Sequence, residues 1–172
     1  MTSTTAARSL FGFPDPVNDL AARVVAAGVV AMSVAAITWR EQWLLIPIAY
    51  GFWARVLTGP KLSPLGRVAT VLVAPRLGRA RPVPGPPKRF AQGIGVAFST
   101  AALLLWFAFS LHSVAWVVLG LLATAASLEA FLGYCLGCRV FALLMKLGVL
   151  PESACLECAD LSRRHPQLTR PL

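Results

Sequence analysis

The residues of this chain best suited to chemistry are its four cysteines, which fall into two matched pairs. Cys135 and Cys138 form C-L-G-C, and Cys155 and Cys158 form C-L-E-C, with positions 139–154 between them. Two such pairs fit the template of a four-thiolate zinc site, in which each pair supplies two ligands about 2.3 Å from a tetrahedral ion. They fit equally a pair of redox dithiols, because cysteines three apart at a helix start can close a disulfide and one of them can have a lowered pKa. Structural disulfides and cysteines serving as small apolar residues are the plainer readings. Glu129 is the other candidate, an isolated carboxylate shortly before Cys135. A charge inside a membrane span is costly, so Glu129 is either a proton donor and acceptor for the thiols or a helix-end acid paired with Arg55 or Arg139. His112 falls in a turn remote from every cysteine and is expected to be solvated and idle.

The elements that must hold these residues are apolar. The chain has 172 residues, of which 57% are hydrophobic and 13% charged, against roughly 25% charged in soluble domains. No acid occurs between Glu41 and Glu129, and no charge of either sign between Arg89 and Glu129. A spanning helix needs about 20 apolar residues, because the hydrocarbon core is about 30 Å thick and a helix rises about 1.5 Å per residue. Four segments meet or approach that length, about 19–38, 42–57, 90–111 and 113–134. The fold class predicted is therefore an all-α membrane protein of four transmembrane helices in two hairpins, with short interfacial amphipathic helices. Its divisions are a flexible N-terminal tail over 1–16, a transmembrane domain over 17–150 with a basic loop at 58–89, and a C-terminal tail over 151–172 that carries the second cysteine pair. The second span is the shortest and contains Pro47. The first is expected to be retained rather than cleaved as a secretory signal, since Asp15 and Asp19 precede it.

Lysine and arginine next to spans are retained on the cytoplasmic side. The loop between spans two and three holds Lys61, Arg67, Arg76, Arg79, Arg81, Lys88 and Arg89 without an acid. That loop is expected inside, and with an even number of spans both termini and all four cysteines lie there too. The opposite face keeps Arg40 alone. Trp39, Trp43, Trp106 and Trp116 flank the two outer turns, where indoles favour the membrane boundary. The net charge of +9 thus has its origin in topology and anionic lipid headgroups rather than in nucleic-acid binding. Thiols in the cytoplasm are held reduced, which favours metal or redox cycling over stable disulfides.

Within the basic loop, Leu65, Val68, Ala69, Leu72 and Val73 have helical spacing, which predicts a helix over 63–77 lying in the membrane surface. The run RPVPGPPKRF, 81–90, has four prolines and a glycine and reads as a stiff linker. Each half of the chain is a pair of spans followed by an amphipathic segment, opening on Leu65, Gly66, Arg67 and Val68 in one half and on Leu136, Gly137, Arg139 and Val140 in the other; this is a faint echo of internal duplication. Gly93 and Gly95 follow no strand and read as helix-packing points rather than a phosphate cradle.

The segments GPKLSPLGRVA (59–69), PGPPKRFAQGIG (84–95), EAFLGYCLGC (129–138) and LGVLPESACLECADL (147–161) resemble the bacterial membrane family catalogued as domain of unknown function 4395. The likeness runs over nearly the whole chain after about Phe13, and the cysteine blocks are its most specific part. The family brings no assigned activity. Its members are often encoded near thioredoxin-like and sulfurtransferase proteins, which implies thiol or sulfur chemistry at a bacterial cytoplasmic membrane. The leading expectation is a multi-pass thiol redox component that exchanges electrons or sulfur with such a cytoplasmic partner. Cys135 and Cys138 would form the active dithiol, Cys155 or Cys158 would relay, and Glu129 would manage protons. The competing expectations are a non-catalytic scaffold stapled by zinc on Cys135, Cys138, Cys155 and Cys158, and, less well supported, a transporter of a small sulfur-containing solute. The sequence leaves oligomeric state open.

Overall fold

The computed structural model describes residues 13–151 and Cys155. The chain enters through a two-residue strand, β1 (Val17–Asn18), and turns at once into α1 (Asp19–Trp39). Asn18 caps this helix by accepting a hydrogen bond from the Leu20 N–H at 3.1 Å, and Asp19 places negative charge against its positive end. Arg40, in the left-handed conformation at φ 58°, ends the helix and reverses the chain. A single 3₁₀ turn (Gln42–Leu44) then leads into α2 (Leu45–Thr58). With 14 residues, α2 is roughly 21 Å long, short of the roughly 30 Å of a hydrocarbon core.

The predicted surface helix is present as three consecutive helical pieces, α3 (Pro64–Arg67), a π-helical stretch (Val68–Val73) and α4 (Ala74–Leu77). Ser63 caps its start through the Gly66 N–H at 3.1 Å. Ala69 and Ala74 face inward, whereas Val68, Val71, Leu72 and Leu77 stay exposed. After β2 (Pro82–Val83), which pairs antiparallel with β1, come α5 (Gly85–Phe107), α6 (His112–Leu132) and α7 (Leu136–Lys146).

The expected stiff linker is corrected here, because α5 begins inside the proline run. Pro86 and Pro87 occupy its first turn, where backbone N–H groups have no intrahelical partner and proline therefore loses no hydrogen bond. Lys88 and Arg89 become helical residues, not loop residues. Three helices, α1, α5 and α6, are long and apolar enough to cross a membrane, which points to a membrane protein. α2 is not among them.

Helix α1 packs along α6, α2 along α5, and α5 also along α6 and α7, while α1 and α2 touch far less. The first two helices thus do not pair closely as a hairpin. The core joins Ala26, Val29, Ala36, Leu45, Ile48, Phe52, Ala102, Leu119, Leu122 and Ala126. The many alanines let the backbones approach closely, as helix association in lipid requires. Outside, Val34, Trp53, Leu104, Val117 and Leu121 are exposed apolar side chains. At the far turn, Trp106 stacks on Trp116 at 4.8 Å and on His112 at 4.2 Å between ring centroids, so His112 is exposed but braced rather than loose.

Candidate dithiol site

The site forms where α6 gives way to α7. Gly133 ends α6 in the left-handed conformation at φ 67°, and its N–H donates to the Glu129 carbonyl at 3.1 Å. Glycine carries no steric penalty there. Two residues later Cys135 takes the N-cap position of α7, and its sulfur accepts a hydrogen bond from the Cys138 N–H at 3.4 Å. The Cys138 thiol donates to the same sulfur across 2.8 Å. Cys135 is buried and Cys138 half-buried.

The residues inside the motif are set by packing. A side chain at Gly137 would lie 2.6 Å from Cα of Ala91, so glycine is what lets the cysteine turn press onto α5. Phe141 holds that contact one turn later, edge-on against Phe90 at 5.6 Å.

These contacts split the two thiols. Cys135 is held below the ordinary thiol range, chiefly by the hydrogen bond from Cys138, against burial and the charge of Glu129, with Lys88 assisting. Cys138 is pushed above that range by the same hydrogen bond, then by burial. The hydrogen bond thus favours the thiolate on Cys135, the N-terminal cysteine at a helix start, over Cys138.

Behind the sulfurs lies an ion cluster. Lys88 Nζ donates to Asp19 Oδ1 at 2.9 Å and to Glu129 Oε1 at 2.8 Å, all three side chains being largely buried. Glu129 is therefore paired with Lys88, in place of the hydrogen bond or ion pair to Arg55 or Arg139 expected from sequence. Arg139 instead stacks over Tyr134, at 5.0 Å to the ring centroid. Arg55 donates from Nε to Gln92 Oε1 at 2.9 Å and from Nη1 to Ser63 Oγ at 3.3 Å, and lies over the Phe52 ring. Arg23 donates to the carbonyls of Ala130 and Phe131, satisfying the end of α6. Sequence reasoning missed Lys88 because it lies in the proline run; the signal was its position at the head of a span with carboxylates at the heads or ends of two others.

Two cavities meet at Cys135. One, of about 240 Å³, is lined by Cys135 and Cys138 together with Lys88, Tyr134 and Arg139. The other, of about 310 Å³, runs into the bundle past Glu129, Gln92 and Arg55 to Phe52, Phe98 and Leu122. Of the second cysteine pair, Cys155 is buried and Cys158 lies outside the described residues. Among the described residues no three His, Cys, Asp or Glu side chains converge as a metal site would require; of the four predicted thiols, the described residues bring together Cys135 and Cys138.

Fold and site define a helical membrane-type protein with a paired dithiol at one end of its bundle. The chain belongs to the family described as Domain of unknown function (DUF4395), whose model matches residues 17–146. That match takes in the first cysteine pair, Glu129 and Lys88, and stops short of the second pair. No curated protein and no solved structure matches the chain.

Proposed function

We propose that this protein is a membrane thiol redox component whose working pair is Cys135 and Cys138. The observation that carries this reading is the 2.8 Å approach of the two sulfurs with Cys135 as helix cap. The Cys135 thiolate attacks one sulfur of a partner's disulfide, forming a mixed disulfide and releasing the partner's other sulfur as thiolate. Cys138 then loses its proton and displaces the partner, leaving a Cys135–Cys138 disulfide and a reduced partner with two more electrons. The same attack on a persulfide transfers sulfur instead. A cytoplasmic thioredoxin-like or sulfurtransferase protein is the partner proposed, approaching from the Lys88 and Arg139 side. Glu129, tied to Lys88, is the proposed proton acceptor for Cys138.

In this reading the bundle crosses the bacterial cytoplasmic membrane four times. α2 joins the 3₁₀ turn ahead of it to complete the second crossing, and the basic loop and dithiol face the cytoplasm. The test is trapping: with Cys138→Ala, Cys135 should retain a mixed disulfide with its partner, and with Cys135→Ala no adduct should form. Thiol titration of protein purified without chelator provides the contrary result. One tightly held zinc per chain with all four thiols protected would replace redox exchange by the scaffold role.

A further inference from the structure

The larger cavity has a composition that disulfide exchange does not use. Its walls are mostly apolar, from Val25, Val29, Phe52, Phe98, Leu121 and Leu122, and Cys135 is among the residues that line it. Phe98 and Leu121 are also exposed on the outer surface of α5 and α6, so the cavity opens toward the side that lipid would cover. At about 310 Å³ it stands at the small end of the roughly 300–1,000 Å³ typical of ligand pockets. Its polar lining is Gln92, Glu129 and Arg55, and Arg55, 5% exposed, has an Nη2 without a hydrogen-bond partner. A buried guanidinium N–H without an acceptor is costly, and a ligand oxygen would satisfy it.

Charge decides what kind of oxygen. Arg55 and Lys88 both feel the carboxylate of Glu129, and Lys88 also holds Asp19. Two cations therefore already face two carboxylates, and a Cys135 thiolate adds a further negative charge. An anionic ligand would be repelled. A neutral carbonyl oxygen on an otherwise apolar body fits.

Resting on the redox reading of Cys135 and Cys138, run in the direction in which a partner's dithiol reduces their disulfide and leaves as a disulfide, we infer that this cavity takes the ring of a membrane-soluble quinone, which accepts the electrons of the re-formed dithiol. The Cys135 thiolate attacks a ring carbon, forming an S–C bond, while Arg55 donates a hydrogen bond to the quinone oxygen. Cys138 then attacks Cys135, an S–S bond replaces the S–C bond, and the electron pair returns to the ring. Two electrons and two protons leave the dithiol and one hydroquinone forms per disulfide.

The test uses the full chain, reduced and reconstituted in nanodiscs, with a short-tailed benzoquinone and a short-tailed naphthoquinone as probes. Hydroquinone absorbance and mass-spectrometric counting of the Cys135–Cys138 disulfide are read together. The expected result is one hydroquinone per disulfide with at least one of the two quinones, slowed at least tenfold by Arg55→Met. Ala125 also lines the cavity, so Ala125→Leu, which fills it and leaves Arg55 in place, should slow the reaction similarly and decides the matter if Arg55→Met does not fold. Reaction of both variants at the wild-type rate would overturn the site. Wild-type protein that exchanges with a small soluble disulfide but with neither quinone would overturn this inference alone, whereas inertness toward both would overturn the dithiol reading beneath it.

Discussion

A sulfur that receives two hydrogen bonds from the same neighbour, one from its backbone and one from its thiol, is favoured as thiolate. Cys135 is in that position. Because its folded pKa is lowered, its thiolate persists as pH falls below the ordinary thiol value of about 8.5. Iodoacetamide should therefore modify Cys135 at neutral pH and Cys138 much later on an alkaline scale, with peptide mapping as the readout. Linkage has the same sign: the Cys135 contribution to stability is complete above the ordinary thiol pKa and is lost as pH falls through the lowered one. Cys138→Ala removes the donor, so the Cys135 alkylation profile should move toward higher pH. Lys88 is the other residue on which the site depends. Lys88→Gln leaves Asp19 and Glu129 without their cation in a largely buried cluster, and breaking such a pair costs roughly 3–5 kcal/mol. Thermal unfolding in detergent should show that loss, and the same variant should raise the pH at which Cys135 is alkylated.

Elements position these residues through close contacts that substitution can open. Gly137→Val would place a branched side chain against the backbone of Ala91. Overpacking costs roughly 1–3 kcal/mol; here it would also lift the cysteine turn off α5, so air-oxidised protein should contain less Cys135–Cys138 disulfide than wild type. Sequence made α7 legible through Arg139 and the apolar positions after it, and made the long spans legible through their neutrality. It concealed the start of α5. Proline breaks a helix interior but not a first turn, so by composition the proline run reads as a linker and conceals Lys88 at the head of a helix. Likewise Gln42 to Leu57 looked like one span by hydropathy, while the Arg40–Glu41 reversal uses Gln42–Leu44 as a 3₁₀ turn and shortens α2 to Leu45–Thr58. Which carboxylate meets which cation was beyond reach for another reason: Glu129 and Lys88 are 41 positions apart, and no periodicity in either helix encodes their meeting.

At the scale of the molecule, the two halves of the chain show corresponding contacts. The first helix of each half packs on the second helix of the other, α1 on α6 and α5 on α2, and each following amphipathic segment lies against the first helix of its own half. This is the pattern that the Leu65–Val68 and Leu136–Val140 echo would produce by duplication, although the α5–α6 contact has no equal between α1 and α2. The cysteines belong to the second segment alone; the corresponding cap in the first is Ser63, a hydroxyl with no redox chemistry. In the proposed topology, charge puts these segments on one side of the bilayer. Arg67 and Arg76 flank the first, Arg139 and Lys146 lie in the second, and the opposite turn carries Arg40 next to Glu41. Retention of cations on the inner side then predicts that a membrane-impermeant maleimide will leave Cys138 unlabelled on intact cells and label it after permeabilisation. A Glu41→Cys variant should show the reverse order, reacting from outside without permeabilisation, and the two sites together separate a wrong orientation from poor access to a half-buried thiol. Labelling of Cys138 from outside would place the dithiol and the basic segment together in an oxidising compartment, and a cytoplasmic partner could then not reach them.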